Sequence, residues 1–117
     1  MDGTRDQGKA APPHGGSVLE VIPLSGRAGI RVSGEIGAAT RGSWEGALAD
    51  LARRHADVSY VELSRVGFVD VAGVSALAVT AMNLPGGRVV VECPPPQLPR
   101  VLALFWPSMH GIEVAPR

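Results

Sequence analysis

Residues 61–79 read Val61-Glu62-Leu63-Ser64-Arg65-Val66-Gly67-Phe68-Val69-Asp70-Val71-Ala72-Gly73-Val74-Ser75-Ala76-Leu77-Ala78-Val79. An apolar strand pattern runs into Asp70, Gly73 follows, and an Ala/Val/Leu helix begins. A strand-to-helix turn of this kind sets a carboxylate beside the free N–H groups of a helix start. In a small α/β domain it is a place to present a switch residue to a partner. The neighbours of Asp70 are Val71 and Ala72, and neither has a hydroxyl to modify.

From Ala72 the helical template fits through Met82, and Asn83, Pro85, Gly86 and Gly87 stop it. At about 100° per residue, Val74, Leu77, Ala78 and Ala81 share one side and face a sheet. The opposite side carries Ala72, Ala76, Val79 and Asn83, flanked by Ser75 and Thr80. A solvated helix normally holds charge there, yet none occurs between Asp70 and Arg88. A low, uncharged surface of this kind suits close docking of another protein element.

Upstream, Val58 to Leu63 reads as a strand. Tyr60, Val61 and Leu63 predict a central strand covered on two sides. Val18 to Leu24 reads as an edge strand ending at Pro23. It is joined across Ser25–Ala28 to a strand Gly29–Ile36 that breaks at Ser33-Gly34. Thr40 is a good N-cap for a helix whose stripe is Trp44, Ala47, Leu48, Leu51 and His55. Downstream, Arg88–Glu92 is a short buried strand and Pro94–Pro96 a rigid connection. A last helix has Pro99 in its first turn and a stripe of Leu98, Val101, Leu102 and Phe105. Leu104 and Trp106 either close the end of the core, which is the preferred reading, or form a second contact surface. Pro107 ends the helix, and Ile112–Val114 is a terminal strand. The order ββαβαβαβ argues for an α/β fold with a mixed sheet of about five strands.

The 117 residues fit one domain, and 45% hydrophobic content supplies a real core. Residues 1–16 are polar and rich in Gly and Pro, which predicts a disordered tail before a single domain over 17–117. No apolar run approaches the roughly 18–20 residues of a membrane span, and no signal-peptide core is visible at the N-terminus. These observations place the chain in the cytoplasm with no membrane insertion. Eleven basic residues balance eleven acidic ones. The one basic pair, Arg53-Arg54, follows Glu45 and Asp50 on the same helix, so no nucleic-acid surface is implied. Strong use of Ala, Gly, Pro and Arg against one Lys suggests a GC-rich bacterial genome.

Catalytic signatures are missing. Gly34, Gly37 and Gly42 lack phosphate-cradle spacing, and no serine sits in a GxSxG elbow. Cys93 stands alone, and His14, His55 and His110 are scattered without metal-ligand spacing. Glu35 and Asp70 fall at the ends of neighbouring strands, where a carboxylate pair is conceivable. Capping of the helix by Asp70 with Glu35 in solvent is the stronger reading. The sequence therefore reads as a non-enzyme with no metal and no cofactor.

The element order, Gly34-Glu35-Ile36 and the Phe68-Val69-Asp70-x-x-Gly73-Val74 motif resemble the STAS domain. This is the domain of bacterial anti-sigma factor antagonists and of sulfate-transporter tails. The resemblance covers roughly residues 18–115. Thr40, Trp44 and Leu48 fall where that family starts its first helix, and Arg100–Pro107 is similar to its last. In the family, a Ser or Thr just before the Gly of Asp-x-x-Gly is phosphorylated by a partner kinase that is also the anti-sigma factor. The dephosphorylated form binds that kinase and frees the sigma factor. Here the acceptor position is Ala72, preceded by Val71, while Asp70 and Gly73 match. A second departure is Gly37, where many members have Asp.

The resemblance implies a protein-interaction module that binds an anti-sigma factor/serine kinase or a sensor protein without phosphorylation at Ala72. The expected contact residues are Asp70, Val71, Ala72, Gly73, Ser75, Ala76, Val79 and Asn83, with Glu35. Ser75 lies one turn on, at the flank of the outer face, and is a weak substitute acceptor. Two alternatives stay open. One is an accessory subunit like those of bacterial lipid-transport ABC systems, and the other is a nucleotide-binding regulatory domain using the 33–36/70–73 end. Both monomer and weak dimer fit the sequence.

Overall fold

A computed structural model describes residues 18–84 and 87–115. The predicted polar tail, and Pro85 and Gly86 among the helix-stop signals, lie outside these. The elements are β1 (Glu20–Pro23), β2 (Gly29–Ile36), a 3-10 turn (Ala38–Thr40), α1 (Arg41–Arg53), β3 (Val58–Val69), α2 (Val71–Met82), β4 (Arg88–Glu92), α3 (Gln97–Phe105) and β5 (Ile112–Ala115). The expected order ββαβαβαβ is therefore present, with the 3-10 turn added.

The five strands lie side by side in sequence order. β1 pairs antiparallel with β2, and β2 to β5 are mutually parallel. Each parallel connection is a helical crossover, and such crossovers are right-handed. A sheet that grows in one direction by right-handed steps places every helix on the same face. This corrects the expectation of a β3 covered on both sides. β3 is central, but its Ser59, Val61 and Leu63 face the helices while Tyr60 and Glu62 face the other way.

The open face is guarded by charge and one aromatic ring. The Arg27 guanidinium stacks 4.3 Å from the Tyr60 ring centroid and donates to both Glu92 oxygens at 2.9 and 2.5 Å. Arg31 donates to Glu62 at 3.2 Å. Tyr60 pairs in register with Val90, which is buried although it lies on this side.

One glycine and two strand bulges shape the end of the sheet that carries Asp70. Gly34 has φ +123, and a Cβ there would meet the Val18 carbonyl oxygen at 2.8 Å, so the predicted bend at Ser33-Gly34 needs glycine. From the pair Arg31/Glu62 to the pair Ile36/Val69, β2 advances five residues and β3 seven. The two extra residues of β3 are bulges that increase its twist. They carry a strand far longer than Val58–Leu63 up to Asp70.

The core lies between the sheet and the helices. Trp44, Leu48, Leu51, Ile36, Leu63, Leu77 and Leu98 are all fully buried. Three local expectations are corrected. Thr40 is the N-cap residue of α1, as expected, but its side chain makes no capping bond. Its Oγ1 donates to the Glu35 carbonyl at 2.7 Å and accepts from Gly37 N at 3.1 Å, because the 3-10 turn points it backwards. α1 ends at Arg53, so His55 leaves the stripe and sits exposed in left-handed backbone at φ +53. Phe105 is exposed rather than in the core. The chain leaves helical geometry at Trp106, and that indole packs inward in its place, while Leu104 is exposed.

The Arg27 hydrogen bonds hold the Glu92 carboxyl below its ordinary value and raise Arg27. A depressed carboxylate contributes stability above the unfolded value and loses it as pH falls through the folded one. Arg27→Ala is expected to return the Glu92 titration upward toward an ordinary glutamate and to flatten the acid limb of stability. NMR titration of the Glu92 carboxyl, with thermal midpoints against pH, reads both effects. The pair is largely exposed, so the stability change will be small.

Candidate functional site

Register places Ile36 beside Val69, so β2 and β3 end level with each other. The starts of α1 and α2 are consequently neighbours. Asp70 is the N-cap of α2, and its Oδ1 accepts from Gly73 N at 2.7 Å. Its other oxygen, Oδ2, accepts from Arg41 Nη2 at 2.9 Å. Arg41 is the first residue of α1, where a cation opposes the helix dipole. Asp70 offsets that, and each of the two side chains is about 30% exposed (30% and 29%).

Gly73 sits where α2 comes closest to the sheet. A Cβ there would approach Ile36 Cγ2 to 2.7 Å and Val69 Cγ2 to 2.9 Å. Its carbonyl accepts from Trp44 Nε1 at 2.9 Å, within the core. Gly73 is thus a packing residue: it is buried, and both of its polar groups are already used.

Between α1 and α2 runs an open groove of about 710 Å³. Arg41, Glu45 and Leu48 line it from α1. Val71, Ala72, Ser75, Ala76, Val79 and Thr80 line it from α2. Val71 and Val79 are about half exposed, at 49% and 47%. Ser75 Oγ donates to the Val71 carbonyl at 3.0 Å and Thr80 Oγ1 to the Ala76 carbonyl at 2.8 Å. Both hydroxyls are turned onto their own helix. The groove floor is therefore methyl and methylene surface, with its charge confined to the α1 side.

Five of the anticipated contact residues, Val71, Ala72, Ser75, Ala76 and Val79, come together in this groove. Asp70 borders it through Arg41. Asn83 is exposed at the C-cap of α2 and does not line the groove. Glu35 is exposed on β2, level with Phe68. Ala72 is exposed, so the position that the resemblance makes the phospho-acceptor is accessible and holds a methyl group. A side chain at Gly37 would point toward Asp70 Oδ2, 4.0 Å from its Cβ. An Asp there would bring a second carboxylate to a site where Arg41 now pairs with one.

Arg41 and Glu45 were not legible as site residues from motif alone. The signal that finds them is topological: level parallel strands put the first turns of the two following helices in contact. Among the described residues no three His, Cys, Asp or Glu side chains gather as metal ligands. Among the described residues no helix is long and apolar enough to cross a membrane.

A serial, mostly parallel sheet with all helices on one face, and an Asp-capped second helix beside a groove whose α2 side is uncharged, defines a small α/β domain. The family model of the STAS domain matches residues 22–105, and the chain belongs to that family. Solved structures agree on the fold. An anti-sigma factor antagonist from Mycobacterium paratuberculosis superposes with a TM-score of 0.68 at 22% identity, over 92% of each chain. The anti-sigma factor antagonist SpoIIAA, in its unphosphorylated form, gives 0.57 at 17% identity, over 84% of this chain and 88% of that one. Among the curated proteins no sequence match was found.

Three substitutions test the turn. Asp70→Ala removes the cap and the ion pair and should cost about 1–2 kcal/mol, whereas Asp70→Asn keeps an acceptor for Gly73 N and should cost about half as much. Gly73→Ala should cost about 1–3 kcal/mol or more, because the Ile36 and Val69 side chains must shift. Urea unfolding midpoints at constant slope measure all three.

Proposed function

We infer that the α1/α2 groove is a protein-docking site and that the chain acts as a non-catalytic binding module of the anti-sigma factor antagonist type. The observation that carries this reading is the α2 outer face. Val71, Ala72, Ala76 and Val79 are accessible, uncharged and set against α1 in one continuous groove. Apolar surface with polar residues at its rim is the composition of interface cores. The partner is an anti-sigma factor of the kinase type or a sensor protein, met in the cytoplasm.

A phosphate at the family's acceptor position would add about −1.5 to −2 charges to this face and oppose docking. Ala72 cannot carry one. Docking is therefore constitutive, or is set by changes in the partner. An ATPase partner of a lipid-transport system would use the same face, and the identity of the bound protein separates the two cases.

Val79→Glu and Ala76→Asp should abolish recovery of the partner from native-host lysate while the thermal midpoint stays within a few degrees of the parent. Glu113→Gln, on the open face of the sheet, should leave recovery unchanged. Equal yield of the same partner from Val79→Glu would sink the groove assignment. Incubation with the cognate kinase followed by mass spectrometry should leave the chain unmodified. A stoichiometric phosphate on Ser75 would overturn constitutive docking.

A further inference from the structure

The α2 wall of the groove repeats every four residues. Val71, Ser75 and Val79 form one row, and Ala72, Ala76 and Thr80 the next. Rows at that spacing are the ridges by which helices interlock. Across the two rows, Ala72, Ser75, Ala76 and Val79 stand at i, i+3, i+4 and i+7. Four residues so placed surround a hole that takes one side chain of a facing helix. The two alanines and the serine keep this hole open, with Val71 and Val79 standing higher along α2 at either end. From residue 71 to residue 80 the wall runs about 14 Å at the helical rise.

Hydrogen bonding decides what kind of backbone this wall accepts. An extended segment brings N–H and C=O groups that need partners, which is why such segments bind at sheet edges. The edges of this sheet are β1 and β5, and neither lines the groove. Main-chain N–H groups of α2 are taken from Gly73 onward, the first two by Asp70. The Ser75 and Thr80 hydroxyls are bonded to carbonyls of their own helix. A segment laid extended on α2 would therefore bury its main chain unpaired. A helix arrives with its main chain already paired and presents side chains alone.

Charge fixes the edge of the occupant. Arg41 and Glu45 are the ionised residues that line the groove, both from α1. Arg41 is committed to Asp70 at 2.9 Å. Glu45 is exposed and makes no ion pair among the described residues. The complement to this groove is a single cation on the α1 side and apolar surface on the α2 side. We propose that the occupant is an amphipathic helix of about three turns in the partner protein. It sets one apolar side chain into the Ala72/Ser75/Ala76/Val79 hole and a Lys or Arg against Glu45. This rests on the docking reading of the groove, and adds the form and the charge of what docks.

The test is photo-crosslinking. A diazirine side chain is placed singly at Val71, Ser75 and Val79 of the full chain, irradiated in native-host lysate, and the joined peptides are sequenced by mass spectrometry. The three probes should join one segment of one protein, three or four residues apart from each probe to the next. Each step along α2 is about 6 Å, which is four residues of helix but about two of strand. Steps of two residues, or joins to three separate segments, overturn the helix and leave docking standing. Absence of any join from all three positions overturns docking and the helix together. With the partner so identified and purified, Glu45→Lys should weaken its binding about tenfold, and replacing the partner's facing Lys or Arg by Glu should restore it. Glu45 is exposed, so an unchanged thermal midpoint is expected for that variant. Unchanged affinity in Glu45→Lys overturns the cationic edge.

Discussion

The Trp44 indole N–H donates to the Gly73 carbonyl inside a core from which water is excluded. That bond can form only because α2 begins almost in contact with β2 and β3, which in turn requires that residue 73 have no side chain. The same residue gives its N–H to the Asp70 carboxylate, and the other oxygen of that carboxylate takes Arg41. One turn of backbone thus ties two helices and two strand ends together. Loss of that hydrogen bond leaves the buried Trp44 indole N–H unpaired, at about 1–3 kcal/mol. The rigidity of the turn sets the spacing of α1 and α2, and that spacing is what makes a groove between them.

Strand order governs the other half of the architecture. Because β1 to β5 follow one another without a switch, the helices share one face and the opposite face must be made compatible with water. Arg27, Tyr60, Arg31, Glu62 and Glu92 do this with ion pairs and a stacked guanidinium. Exposed apolar side chains occur on α2 and α3, at Val71, Val79, Met82, Leu104 and Phe105, and on or beside the edge and centre of the sheet, at Val18, Ile22 and Phe68.

Much of this was readable from residues alone, for physical reasons that differ by element. β2 and β4 have the boundaries their patterns imply, because Gly, Pro or charge flanks each apolar run. α2 was legible in both its buried and its accessible side, since an element with no charge has a periodicity that only packing can set. β3 was legible for half its length. Ser64, Arg65 and Gly67 do not look like strand, and pairing with β2 across two bulges holds them there. His55 and Phe105 misled because each sits at a helix end, where the 3.6-residue period stops deciding direction. Ala72 as an accessible methyl could be anticipated, but its ionic neighbour Arg41 could not, because the pair spans 29 positions.

The serial sheet also bears on how the chain acquires its structure. Every strand pairs with the one before it in sequence, so each new strand can be laid on an edge that already exists. Parallel pairing still requires a crossover helix to close first, which makes each addition slower than a hairpin. The β1–β2 hairpin is the one local pairing, and it lies at the start. A chain emerging from its N-terminus can therefore order progressively, unit upon unit, without holding an unpaired strand in reserve for a distant partner. Domains whose strand order reverses have to keep such a strand exposed for longer, and exposed edges are where aggregation begins.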